Sequence, residues 1–204
     1  LNAAVDHELP WGMIGTLEFM YSKSINDLIY EKLNIGAPSA TNPTIVDDGR
    51  PRYGGTDRKS NNFNDVLVLK NTDEGYTYNI TAQLQRNVPV GLGFNLAYTY
   101  GVAKDQNSVL SSQALSQIRF NPISDNANTP PLTTSSFDLE HRAFASVSYS
   151  IEFFANSPTT FSCFYNYQSG RPFSFTVNGD LNNDGFNGND LFYIPGSPDD
   201  ILVG

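Results

Sequence analysis

The feature that most limits what this chain can become is a two-residue alternation, clearest across residues 76–85. Tyr76, Tyr78, Ile80, Ala82 and Leu84 form one phase, and Thr77, Asn79, Thr81, Gln83 and Gln85 the other. Successive side chains of an extended strand point to opposite faces, so this segment predicts a strand with one apolar and one polar face. The design recurs over 17–21, 94–100, 139–153 and 161–167. In 139–153 the polar phase holds Glu140, Arg142, Ser146, Ser148, Ser150 and Glu152 and is broken only by Phe144. The expected fold class is all-β, with antiparallel up-and-down strands.

The connections carry more information than the strands. Short turns rich in Pro and Gly are expected at 9–12, 88–91 and 155–158, and long polar stretches at about 34–62, 106–138 and 170–200. Short and long alternate strictly. Strands that cross a membrane produce this asymmetry, with tight periplasmic turns on one side and long extracellular loops on the other. The alternation requires 63–87 to be one long strand interrupted near 71–75, where Gly75 suggests a bulge. A separate hairpin at 72–75 is the alternative, and it would put two successive turns on the wrong sides.

Composition separates the classes that remain. No uncharged apolar run approaches the ~20 residues of a spanning helix, which excludes a helical membrane protein but not a barrel. Charged residues are 16% of the chain and aromatic residues 13%; soluble domains average about 25% charged. Trp11, Tyr98, Tyr100, Tyr165 and Tyr167 fall near strand ends, where a barrel places an aromatic girdle. A net charge of −9 argues against nucleic acid as a partner. The single cysteine, Cys163, excludes an internal disulfide framework. A secreted, calcium-stabilised β-sandwich for adhesion or carbohydrate binding remains open, because its strands alternate too. The chain begins at Leu1 without an initiator Met or signal core, and an internal piece of a larger barrel is expected.

Several strings resemble the barrel of TonB-dependent outer-membrane receptors, in particular the Oar-like receptors of Bacteroidota. They run through 75–84 (GYTYNITAQL), 97–101 (AYTYG), 111–114 (SSQA), 137–142 (FDLEHR), 167–175 (YQSGRPFSF) and 178–195 (NGD through NDLFYIP). The resemblance covers about 63–195. It implies that 1–204 is part of one transmembrane β-barrel of about 22 strands in a Gram-negative outer membrane. It further implies import of a large or scarce ligand past an N-terminal plug, with TonB reached through a region upstream of Leu1. Outer-membrane lipid is then the first partner, and a surface lipoprotein or other outer-membrane protein is a further one. The ligand is unreadable, and no enzymatic activity is expected.

One loop carries a metal-ligand pattern. Asp180, Asn182 and Asp184 occupy positions one, three and five of a calcium-binding loop, with Gly185 at the sharp turn. The usual Glu at position twelve is replaced by Leu191, and Asp190, one residue early, is the candidate substitute. The expected cofactor is a structural Ca²⁺ on Asp180, Asn182, Asp184 and Asp190. The competing reading is an Asn/Asp/Gly-rich turn held by its own hydrogen bonds. His141, beside Asp138 and Glu140, is expected to be an interfacial side chain paired with a neighbour rather than a catalyst, since no Gly-x-Ser-x-Gly elbow accompanies it.

Overall fold

The computed structural model describes residues 1–41, 50–53, 58–88, 90–124, 126–154 and 157–194. In chain order the strands are β1 (Asn2–Leu9), β2 (Met13–Lys23), β3 (Asp27–Lys32), β4 (Pro38–Thr41), β5 (Pro51–Tyr53), β6 (Leu67–Thr72), β7 (Tyr76–Arg86), β8 (Gly91–Asp105), β9 (Thr133–Thr134), β10 (His141–Phe154) and β11 (Ser157–Gln168). One short helix, α1 (Ala114–Arg119), lies between β8 and β9. Two compact units result, one of Leu1–Ser24, Gly75–Asp105 and Thr134–Pro172, the other of Ile25–Glu74, Gln106–Thr133 and Phe173–Gly204.

The first unit is an antiparallel sheet in the order β1-β2-β7-β8-β10-β11, with the two-residue β9 on β8. Its registers confirm the alternation read from the sequence. Val5 faces Leu17, Leu17 faces Ala82, Ala82 faces Tyr98, Tyr98 faces Ala143 and Ala143 faces Tyr167, so one apolar row crosses all six strands. The opposite face carries cross-strand polar bonds: the Thr16 hydroxyl donates to Asp6 at 2.6 Å, Gln83 Nε2 donates to Asn95 at 2.9 Å, and Thr81 pairs with Thr99 at 2.9 Å.

None of the described apolar side chains of this sheet is buried. Leu17 is 59% exposed, Phe161 61% and Tyr165 59%, and Ile80, Tyr98 and Val147 are exposed as well. A sandwich would lock these residues in a dry interior between two sheets; the described residues form no such interior, and the soluble-sandwich expectation is set aside. An apolar face of this extent on a soluble monomer would be anomalous. Against hydrocarbon it is the required surface. The sheet is open, with β1 and β11 as its edges. Because an unpaired edge is not tolerated in lipid, such a sheet is a segment of a barrel completed by further strands.

The turns on one end are short. β1 and β2 are joined by Pro10–Gly12, where Trp11 and Gly12 both take left-handed backbone (φ 64° and 71°). The long connections all leave from the other end of the antiparallel strands. The expected single strand over 63–87 is two strands: β7 pairs with β2 and β8, whereas β6 pairs with β3 in the second unit. Neither the bulge nor a hairpin at 72–75 is found. Lys23 faces Tyr76 and, four residues on, Asp27 faces Thr72, so the offset between the strands is unchanged across the interruption. A bulge would have shifted it by one residue. The interruption has equal length, three residues, on both sides of the pairing.

The second unit holds the hydrophobic core of the described chain. Ile118, Ile123, Ala127 and Phe186 are buried together, with Tyr30 and Leu67 against them. Polar side chains tie the segments that lack regular structure. The Asn128 amide bonds both the N–H (2.7 Å) and the carbonyl (3.0 Å) of Lys32, and buried Gln117 accepts from the N–H groups of Leu110 and Ser111. The long connections are therefore folded, where the sequence suggested only polar loop.

Candidate functional site

The 180–190 loop enters the second unit through Phe186, only 1% exposed. Ile123 stitches the end of the loop in place: its N–H donates to the Asn189 carbonyl at 2.8 Å, and its carbonyl accepts from Leu191 at 3.0 Å. Asn183, Gly185 and Gly188 have φ of 57°, 89° and 91°, which coils the chain tightly around its own carboxylates. At Gly185 a Cβ would stand 2.9 Å from Lys32 Nζ, the end of a long side chain that can shift, so the left-handed backbone is what favours glycine there.

Three of the four residues expected to bind calcium share one hydrogen-bond network, and the fourth, Asp190, lies near enough to act on Asp180 and Asp184. The Asp184 N–H is shared between Asp180 Oδ1 (3.1 Å) and Asn182 Oδ1 (2.9 Å), and Asp180 Oδ2 accepts from Gly185 at 2.9 Å. Asp184 Oδ1 accepts from the Phe186 N–H at 2.8 Å, and its Oδ2 from Asn189 Nδ2 at 2.9 Å. The Asp190 carboxylate has partners of its own. Its Oδ2 takes the Leu181 N–H at 2.8 Å and its Oδ1 lies 3.2 Å from Arg50 Nη1. Among the described residues no three Asp, Glu, His or Cys side chains are grouped so as to hold a metal.

Burial pushes the Asp184 carboxyl above the ordinary carboxylate value, against the opposing bonds from Phe186 and Asn189. Burial likewise raises Asp190, opposed by the Leu181 N–H and by Arg50. Asp184 has no ion-pair partner among the described residues. Lys32 comes near, but its ammonium goes to the backbone carbonyl of Asp184 (2.8 Å), to Asp65 (2.9 Å) and over the Phe186 ring (4.2 Å).

Beside this loop lies a polar cavity of about 160 Å³ lined by residues including Lys32, Asn34, Tyr53, Arg58, Asp65 and Asn183. Most of its polar groups are already engaged: Asn34, for one, bonds the carbonyls of Ser60 and Phe63 and the N–H of Ser60. The sequence reading missed Lys32, Arg50 and Asn189. The first two lie far from the motif in sequence, and nothing in composition links them to it. Asn189 sat within the motif, but only its burial distinguishes it from Asn183 or Asn187.

In the sheet, His141 stands in the apolar phase. Its Nδ1 meets the Tyr98 hydroxyl at 2.7 Å, and its ring packs on Tyr98 and Tyr100. The pairing with a neighbour expected from the sequence is present.

An open antiparallel sheet with one lipid-compatible face, one polar face, and connections short at one end and long at the other defines the class of outer-membrane β-barrels. The chain belongs to the outer membrane beta barrel domain family, whose model matches residues 1–201. No curated protein and no solved structure matches it. The protein is thus an outer-membrane protein.

Proposed function

We propose that the chain is barrel from a TonB-dependent importer that captures a large or scarce ligand at the cell surface. The observation supporting this is the asymmetry of the connections. Turns at one end are as short as Pro10–Gly12, while those at the other build a unit with its own buried core and polar cavity. A passive pore needs no folded mass on its long connections; a receptor that captures cargo before admitting it does. The Oar-like strings support the same reading. In it the apolar rows face lipid, Arg142 and Glu152 face the lumen, the long connections are extracellular, and TonB supplies the driving force through a plug outside this chain.

The test uses the intact protein in its own outer membrane. Purified protein should retain the periplasmic domain of TonB, and ligand uptake by cells should collapse when an uncoupler removes the proton-motive force. No retention of TonB, together with uncoupler-insensitive permeation, identifies a passive barrel and overturns the proposal.

A further inference from the structure

The second unit contains a buried polar atom that no described residue satisfies. Asn189 is 0% exposed, and among the described residues its side-chain oxygen has no hydrogen-bond partner. Its Nδ2 is on the Asp184 carboxylate, so the amide belongs to the cluster around that residue. Leaving a buried carbonyl oxygen unpaired costs about 1–3 kcal/mol. Asp184 itself is 3% exposed and carries a charge that no cation balances among the described residues. Two further carboxylates, Asp180 and Asp190, lie close enough to add repulsion, and the second is paired with Arg50. Asn189 and Asn182 both present Nδ2 to Asp184 Oδ2 (2.9 and 3.4 Å), so turning the Asn189 amide over brings its unsatisfied oxygen to a buried carboxylate that has no cation among the described residues, the polarity a bound cation answers.

We propose that the 180–190 loop binds a calcium ion whose ligands are the side-chain oxygens of Asp180, Asn182, Asp184 and Asn189. Asp190 is then not a ligand but a positioning residue, holding the Leu181 N–H and Arg50. Two carboxylates and two amide oxygens match one divalent ion in charge, and Ca²⁺ accepts such mixed oxygen sets, completed by water or backbone carbonyls. The set contains only two acids, consistent with the absence of a three-acid cluster. Mg²⁺ demands a near-ideal octahedron and sheds its waters reluctantly, so calcium is preferred. With so few charges, affinity falls on the order of 10⁻⁴–10⁻³ M, the range of extracellular modules. The inference is independent of the importer reading, since any barrel could carry such a loop.

Amide hydrogen exchange of the full chain in detergent, with CaCl₂ or EDTA, tests it. At 10 mM Ca²⁺, protection of the amides of 180–191 and of Ile123 should rise roughly 10- to 100-fold over EDTA. Asp184→Asn should abolish that gain while keeping EDTA protection at or above the original level, because it removes a buried charge. Asn189→Asp should lower protection in EDTA and enlarge the calcium gain. Equal protection in calcium and EDTA overturns the site, as does a calcium gain that survives Asp184→Asn. A gain of equal size with MgCl₂ overturns the choice of calcium.

Discussion

Val147→Arg is the sharpest probe of which medium the apolar face meets. Val147 is midway along the apolar phase of β10, six residues from both His141 and Phe153, with Phe94 and Cys163 as its cross-strand neighbours. At about 3.3 Å per residue, each end of that row is ~20 Å away along the strand. A tilt near 45° makes this ~14 Å in depth, which puts Val147 close to the centre of a hydrocarbon layer ~25–30 Å thick. That is too deep for an arginine head to reach water by snorkelling. The expected loss is about 2–4 kcal/mol, roughly 30- to 900-fold in the unfolding constant. The control is Ser148→Arg, one residue on and facing the opposite way, between Gly93 and Ser162; a change within about 0.5 kcal/mol is expected there. Reversible guanidinium unfolding from lipid vesicles measures both. Equal effects of the two substitutions would refute the assignment of the Val147 face to lipid.

Phe186→Ala empties the centre of the loop core and should destabilise the second unit by about 3–5 kcal/mol, read as lost exchange protection at Ile118 and Ile123 with the β7–β8 amides unchanged; a uniform loss across the sheet would contradict the division of the chain. Cys163 faces Val147 in the apolar row, so in folded vesicles a charged maleimide should leave it unlabelled while a membrane-permeant one modifies it. Comparable labelling by both reagents would place that face in water.

The strands were legible because bilayer and lumen impose opposite demands on every successive residue. Ile80 and Thr81 answer different solvents, and no partner need be known to see it. β1 escaped because Ala3 and His7 blur its apolar phase. β6 fell inside the strand expected over 63–87, but β3 and its pairing with β6 escaped for another reason. Leu67 and Tyr30 rest against the cluster of Ile118, Ile123, Ala127 and Phe186, all far along the chain, and a segment stabilised by such distant partners carries no period of its own. The first three positions of the proposed calcium loop showed plainly in the sequence. The fourth oxygen proposed for it could not be read, since only burial singles out Asn189, and the hold of Arg50 on Asp190 spans 140 residues.

The absence of buried apolar side chains in the sheet divides the chain's tolerance to change. Liquid hydrocarbon moulds itself to any outline, so the row through Leu17, Ala82 and Tyr98 must be greasy but need not have a particular shape, and Leu, Ile, Val and Phe are interchangeable there at little penalty. Phe186 enjoys no such latitude, because its surroundings are solid. Drift along this family should therefore reshuffle the identities of membrane-facing residues freely while keeping the alternation, and should preserve the contour of the loop core.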